Sequence, residues 1–297
     1  VIGGGPIGIE LGQIFHMLGS KVSILEAMPS ILSSLDRKIA SRLEGILDRQ
    51  GIPVDTNAQI KSITTSPGGL RVHFSVDDEA HSTESQIVLT VVGRRPNVDG
   101  LGLEKTHVEV GSQGIKVDKD LRTTEHHIFA LGDVIGQPMF AHWATAQAQA
   151  LAGRLLGRAV DLPNAKHNSA VIFSYPEVGT VGLTEEEAQK AGVEVAVAEY
   201  DYATDARAQI SGNAEGLLRI VYRLDDQTVI GVHALVEGAA DLMGEAALAV
   251  TTGARLSDLA GSIHPHPTLS ESFGLCSRSV TTSGLPQNSR WSEAGRT

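Results

Sequence analysis

Apolar positions fall at helical spacing soon after the start of the chain. Ile9, Leu11, Ile14, Phe15 and Leu18 predict a first helix, closed by Gly19 at the position glycine favours. Lys21 to Leu25 (KVSIL) alternates polar and apolar residues and predicts a strand. Asp36 to Gln50 then places Ile39, Leu43, Ile46 and Leu47 on one helical face, with Gly51 as the stop. A strand near Val54 to Ile60, a polar hairpin through Pro67, Gly68 and Gly69, and an apolar run from Ile87 to Val92 follow. Met139 to Arg154 reads as an Ala-rich helix with Ala141, Ala144, Ala148 and Leu151 on one face. Leu217 to Tyr222 and Thr228 to Val232 read as strands of an antiparallel sheet. Thr281 to Thr297 is polar and aperiodic, which predicts disorder or an unrelated extension. The alternation of strands and helices places the chain in the α/β class.

The residues ahead of the first helix carry the first chemical signal. Val1, Ile2, Gly3, Gly4, Gly5, Pro6, Ile7 and Gly8 set a GxGxxG pattern on Gly3, Gly5 and Gly8, with Pro6 and Ile7 between the last two. Such glycines turn the chain out of a strand, let the backbone approach a pyrophosphate, and let the next helix pack closely. Glu26 ends the KVSIL strand 18 residues past Gly8, where a carboxylate would accept both hydroxyls of an adenosine ribose. It would repel a 2′-phosphate, so NAD is favoured over NADP; the plain alternative is a solvated residue at a strand end. Only two apolar residues precede the glycines and the chain opens without Met, so a piece of a longer polypeptide is expected. After the Ile87 to Val92 run, Gly93 would let the backbone lie flat against a planar ring or would simply end the strand.

Composition narrows the field. With 24 Lys and Arg against 35 Asp and Glu, the net charge is −11 and no basic stripe is present, which argues against nucleic acid. No apolar run reaches the roughly 18 residues of a membrane helix and no signal peptide is visible, so a cytoplasmic protein is expected. A single cysteine, Cys276, allows no disulfide within the chain and no cysteine-based metal cluster; no metal site is expected. Nearly 300 residues suggest two or three domains.

Three later segments complete a resemblance. His127 to Asp133 (HIFALGD), Val171 to Glu187 (VIFSYPEVGTVGLTEEE) and Ile263 to Glu271 (IHPHPTLSE) occur in the same order and at similar spacing in the pyridine nucleotide-disulfide oxidoreductases, which the chain resembles over about residues 1 to 280. The resemblance implies an NAD-binding Rossmann domain (1–96), the returning half of a Rossmann-like FAD domain (97–162) and an α+β dimerisation domain (163–280). It implies that His127 to Asp133 is a strand leading into a Gly-Asp pair, and that Asp133, a carboxylate at the end of that buried strand, holds the ribityl chain of FAD. Met139, Phe140, Ala141 and His142 would lie beside the flavin, and Glu10 would be a carboxylate near nicotinamide and flavin. His266 would be the base of thiol-disulfide chemistry, with Glu271 holding its other ring nitrogen. Imidazole suits that task because it titrates near neutrality. Taken alone, the His-Pro-His-Pro stretch would more often be a rigid turn, and His264 is the structural member of the pair.

Within the family, Gln137 to His142 (QPMFAH), the doubled His-Pro and Glu26 fit the branch that oxidises dihydrolipoamide with FAD and NAD. Such an enzyme works as a homodimer, its substrate in some cases carried on a lipoyl domain of a 2-oxo acid dehydrogenase complex. A glutathione reductase-like enzyme and a non-catalytic NAD-binding or dimerising module are the competing readings. The family's chemistry also needs a CxxxxC pair and a second glycine-rich flavin domain. Neither is in this sequence, so these 297 residues alone are expected to be inactive.

Overall fold

The computed structural model describes residues 1–281. The disorder expected from Thr281 onward falls, apart from Thr281 itself at a helix end, outside the described residues. Residues 1–91 together with 169–281 form one compact unit, and residues 92–168 form a second.

The first unit opens on a parallel sheet. Helix α1 (Pro6–Met17) follows the glycine loop, strand β1 (Ile24–Leu25) follows it, then α2 (Arg37–Arg49) and strand β2 (Val54–Asp55). Ile2 bridges Leu25 on one side and Thr90 on the other, both in parallel, and β1 pairs with β2 in parallel. The lanes therefore run β2, β1, Ile2, Thr90, which is the 3-2-1-4 order of a Rossmann sheet, and the glycine loop leaves from its topological switch point. Helix α2 has the expected buried face of Ile39, Leu43, Ile46 and Leu47. Asp36 caps it by accepting from Lys38 and Ile39 N–H.

Several expected elements differ in detail. In α1 only Ile9 of the apolar stripe is buried, beside Gly8, Gly12 and Gln13, while Ile14, Phe15 and Leu18 are exposed. The strand expected over Lys21 to Leu25 keeps a ladder only at its last two residues. That expected over Val54 to Ile60 breaks at Asn57, whose φ of 54° is left-handed, a conformation asparagine tolerates. Beyond the break, β3 (Gln59–Ser66), β4 (Gly69–Val76) and β5 (Glu79–Ser85) form an antiparallel meander that turns at Pro67 and Gly68, as expected.

In the second unit, β6 (Val110–Gly111) pairs with β7 (Gly114–Ile115), and α3 (Ala141–Leu155) is the long helix. Its buried face is Trp143, Gln147, Ala150 and Leu151 rather than the expected Ala141, Ala144, Ala148 and Leu151. Burying an indole removes far more apolar area than burying methyl groups, so Trp143 selects the face. Gln147 Oε1 joins it by accepting Gly132 N–H at 2.8 Å. The strand expected at His127 to Asp133 reduces to one bridge between Arg122 and Phe129, followed by a 3₁₀ turn at Gly132–Ile135.

The first unit resumes with β8 (Ala170–Ile172), β9 (Val178–Gly182), α4 (Glu185–Lys190), β10 (Val195–Asp201), α5 (Ala206–Ser211), β11 (Leu217–Arg223), β12 (Val229–Leu235), α6 (Ala239–Thr252), α7 (Leu256–Gly261) and α8 (Glu271–Thr281). The strands form one antiparallel sheet in the order β10-β11-β12-β9-β8. Its core gathers Tyr202, Leu218, Ile220, Val232, Met243 and Phe273, so α6 and α8 are held on the sheet by apolar packing. Among the described residues no helix is long and apolar enough to cross a membrane.

Candidate functional site

Two clusters in the first unit collect the sequence-predicted residues that bear chemistry. At the glycine loop, Gly3 has a φ of +113°, and a Cβ there would lie 2.6 Å from Val91 O. A Cβ on Gly8 would lie 1.9 Å from Gly3 O, so the start of α1 sits against the strand end as closely as backbone permits. Gly5 differs: nothing lies within 4 Å of where its Cβ would be. The loop thus presents open space at the N-terminus of a 12-residue helix that Pro6 opens without a side-chain cap. Its unsatisfied N–H groups and the helix dipole suit a pyrophosphate there. Ile7 follows in the first turn, 38% exposed.

Glu26 closes the other side of this loop. Its Oε2 accepts Gly4 N–H at 2.5 Å and its Oε1 accepts Met28 N–H at 2.7 Å. Both oxygens sit at the C-terminal end of β1, beside the glycines, where a ribose diol would meet them. The residue arrangement fits NAD. Glu10, on α1, accepts Phe173 N–H at 2.8 Å through Oε1, a contact the sequence did not reveal. One turn on, Gln13 Oε1 accepts Tyr175 N–H and its Nε2 donates to Tyr175 O.

The second cluster lies between α7 and α8. His266 Nδ1 is 3.1 Å from both carboxylate oxygens of Glu271, the first residue of α8. The imidazole is 71% exposed, so its Nε2 edge is open to solvent-borne reactants. Thr268 N–H donates to Glu271 Oε2 at 2.9 Å. That backbone hydrogen bond, followed by the one from His266, holds the Glu271 carboxyl below the usual glutamate range. An ionised carboxylate at this distance favours the tautomer with the proton on Nδ1, which would leave Nε2 able to accept one.

The second unit holds the remaining candidates. Asp133 sits in the 3₁₀ turn, 43% exposed, and accepts from Arg94 Nη2 at 3.3 Å. It is therefore not the end of a buried strand, as the sequence suggested. Gly132 has a φ of +70°, and a Cβ there would lie 2.9 Å from the Ala144 Cβ, so the turn presses on α3. Phe140, the N-cap of α3, stacks on His142 at 5.2 Å, with Met139 before it and Ala141 as the first helical residue. No side-chain hydrogen bond caps the helix, and the positive end of its dipole suits an electron-rich group. Gly93 has a φ of +135° with nothing within 4 Å of a Cβ, which suits either reading made for it. These residues are compatible with the FAD expected of them.

Cys276 is buried in α8, and desolvation pushes its thiol up to about 12, so it is no nucleophile.

Comparison with known proteins identifies the family. Residues 1–150 match the model of the pyridine nucleotide-disulphide oxidoreductases, and residues 168–275 that of the family's dimerisation domain. The dihydrolipoyl dehydrogenase of Thermus scotoductus is 39% identical over 277 residues, covering 91% of this chain and 59% of the relative. That of Geobacillus stearothermophilus is 37% identical, with 91% and 58% covered. The chain thus spans under three fifths of the length of these relatives. Among solved structures, LpdA of Mycobacterium tuberculosis superposes with a TM-score of 0.85 at 27% identity, over 94% of this chain and 60% of that one. RclA of Escherichia coli, an HOCl-induced flavoprotein disulfide reductase, gives 0.83 at 28% over 93% and 63%. With its 3-2-1-4 sheet, glycine loop, His-Glu pair and matched dimerisation domain, the chain belongs to the pyridine nucleotide-disulphide oxidoreductase family.

Proposed function

We propose that this chain provides the NAD site, the His-Glu base and the dimerisation surface of a dihydrolipoyl dehydrogenase. The observation that carries the reading is the exposed imidazole of His266 with one nitrogen held by Glu271 and the other open. In this role Nε2 accepts the proton of a dihydrolipoamide thiol and later returns it to a leaving thiol, and Glu271 stabilises the imidazolium between the two steps. The reacting disulfide has to come from polypeptide other than these residues, which carry one cysteine.

Gly3, Gly5, Pro6, Ile7 and Gly8 would hold the NAD pyrophosphate and Glu26 its ribose. Asp133, Met139, Phe140, Ala141, His142 and Gly93 would line the FAD side, and Glu10 the nicotinamide edge. When bound, the two cofactors supply electron-pair and hydride transfer. The dimerisation segment supports a homodimer in which each His-Glu pair serves the other subunit. The domain limits 1–96, 97–162 and 163–280, a cytoplasmic location and a lipoyl-domain substrate belong to the same proposal.

Two measurements test it. NADH and NADPH binding to the chain separate this reading from a glutathione reductase-like one: Glu26 predicts a preference for NADH, and a tenfold preference for NADPH would defeat it. In the flavin-bearing protein that contains this segment, His266→Gln is expected to lower dihydrolipoamide oxidation by about 10²–10⁴-fold. Unchanged turnover would favour a non-catalytic NAD-binding or dimerising module.

A further inference from the structure

The 71% exposure of His266 raises a question of positioning, because packing cannot orient a ring that touches so little. Its loop runs from the end of α7 at Gly261 to the start of α8, and Ile263 within it is 99% exposed. On the C-terminal side the loop is braced by Thr268, whose Oγ1 donates to Pro265 O at 2.7 Å and whose N–H reaches Glu271. On the N-terminal side the anchor is His264. Its side chain is only 9% exposed, and its Nε2 lies 2.9 Å from Glu245 Oε1 on α6.

The other ring nitrogen of His264 reports how it is seated. Nδ1 is buried with no hydrogen-bond partner among the described residues, and it lies 3.3 Å from where a Cβ on Gly274 of α8 would stand. The ring therefore fills the gap between α6 and α8 that glycine at 274 leaves. The neutral form that pays least for this seat carries its proton on Nε2, donated to Glu245, because a proton on Nδ1 would be buried unpaired. The titratable and charged groups around it are Glu245 from α6, Glu271 and Arg278 from α8, and His266 from its own loop. The Arg278 guanidinium lies against the same Gly274 and donates to Ala260 O of α7.

We infer that the His264–Glu245 pair holds His266 in register with Glu271, making His264 a positioning residue for the base. This rests on reading His266 as the proton acceptor. The linkage is short: Pro265 alone separates the two histidines and its ring fixes φ, so a seated His264 restricts the directions in which His266 can point. Glu271 is fixed independently, as the first residue of a helix whose Phe273 and Cys276 are in the core. Register between base and carboxylate then depends on the N-terminal anchor.

The test is the tautomer of His266, read by nitrogen-15 NMR of the histidine-labelled 297-residue chain. The wild type is expected to show His266 with Nδ1 protonated and Nε2 bare. Glu245→Ala should turn this into a mixture with at least half of the population as Nε2–H, whereas Glu245→Gln, which keeps an acceptor for His264, should restore the single form. Gly274→Ala leaves Glu245 in place but crowds the His264 ring, and should give the same mixture. A folded Glu245→Ala or Gly274→Ala chain with an unchanged His266 tautomer would overturn the inference, as would failure of Glu245→Gln to restore it. If turnover of the flavin-bearing protein survived His266→Gln while the tautomer still followed Glu245, the base assignment would fall and the positioning would stand.

Discussion

The ion cluster beneath the junction of α2 and the antiparallel sheet gives a prediction whose size follows from the structure. Asp36 is fully buried and Arg219 is 6% exposed. Arg219 Nη1 reaches both Asp36 oxygens, at 2.7 and 2.8 Å, and its Nη2 reaches Glu185 at 2.7 Å. Asp36 also caps α2. Removing one partner of a buried pair costs about 3–5 kcal/mol, because the other charge stays in a poor solvent. Glu185 and Glu199 still face Arg219, so the lower end applies and Asp36→Asn, which keeps a good cap, should cost about 3 kcal/mol. Asp36→Ala loses the cap as well, adding about 1 kcal/mol, for about 4 in all. Against a total stability of about 5–15 kcal/mol these are large losses. Arg219→Met, which leaves the fully buried Asp36 carboxylate without a cation, should cost nearer the upper end of that range, about 5 kcal/mol, and the Asp36→Asn/Arg219→Met double variant about 2 kcal/mol less than the sum, since no fully buried unpaired charge remains. The assay is urea unfolding followed by far-ultraviolet circular dichroism. Tryptophan fluorescence is unsuitable, because Trp143 lies in the other unit and Trp291 lies outside the described residues. A loss below about 1 kcal/mol for Asp36→Asn, or strict additivity in the double variant, would refute the claim that the pair is desolvated and coupled.

Three further outcomes follow. Gly5→Ala should leave the melting temperature within a few degrees of wild type yet weaken NADH binding at least tenfold, while Gly8→Ala, which drives a Cβ to 1.9 Å from Gly3 O, should lower both; equal behaviour of the two variants, by calorimetry and NADH titration, would contradict the loop geometry. The Glu271 carboxyl should titrate below an ordinary glutamate by carbon-13 NMR, so its contribution to the loop is present above the unfolded value near pH 4.3 and lost as pH falls through the lower folded value. Thr268→Pro, which removes the largest cause, should raise that midpoint more than His266→Ala does, and the reverse order would be decisive against it. Cys276 should stay inert to an aromatic disulfide reagent at pH 8 in the folded chain and react fully in denaturant; labelling of the native chain within minutes would show that the thiol is not buried.

The parts of the fold that could be read from the sequence are those in which one short stretch carries its own reason. Asp36, the four apolar residues of α2 and Gly51 specify that helix locally. The glycine loop, α1, β1 and Glu26 specify a Rossmann start because spacing alone fixes their register. What was hidden depended on distant partners. The apolar stripe of α1 names a face but not what covers it, so the exposure of Ile14, Phe15 and Leu18 could not be foreseen. In α3 the alanines suggested one face and Trp143 took another, anchored by a hydrogen bond from Gly132 to Gln147 that no local pattern announces. At the site, the His266–Glu271 pair was legible through its motif. The pairing of His264 with Glu245, 19 residues back on another helix, was not.

The same distinction explains how the nucleotide sheet and the antiparallel sheet come to share one unit. Apolar packing contributes, with Ile172, Val178, Leu217 and Leu235 joining the cluster around Ile9, Ile39 and Leu43. Apolar contact is nondirectional, however, and would tolerate sliding. Direction comes from three polar residues on the nucleotide side: Glu10 and Gln13 bind the backbone of Phe173 and Tyr175, and Asp36 binds Arg219. Each of these bonds loses its energy within a few tenths of an ångström or some tens of degrees, so together they fix an orientation that packing leaves loose. Glu10 and Gln13 lie one turn apart on the helix that begins at the glycine loop. The element that would receive the dinucleotide is therefore the same one that locks onto the 173–175 segment, and a shift of α1 would be felt at both ends.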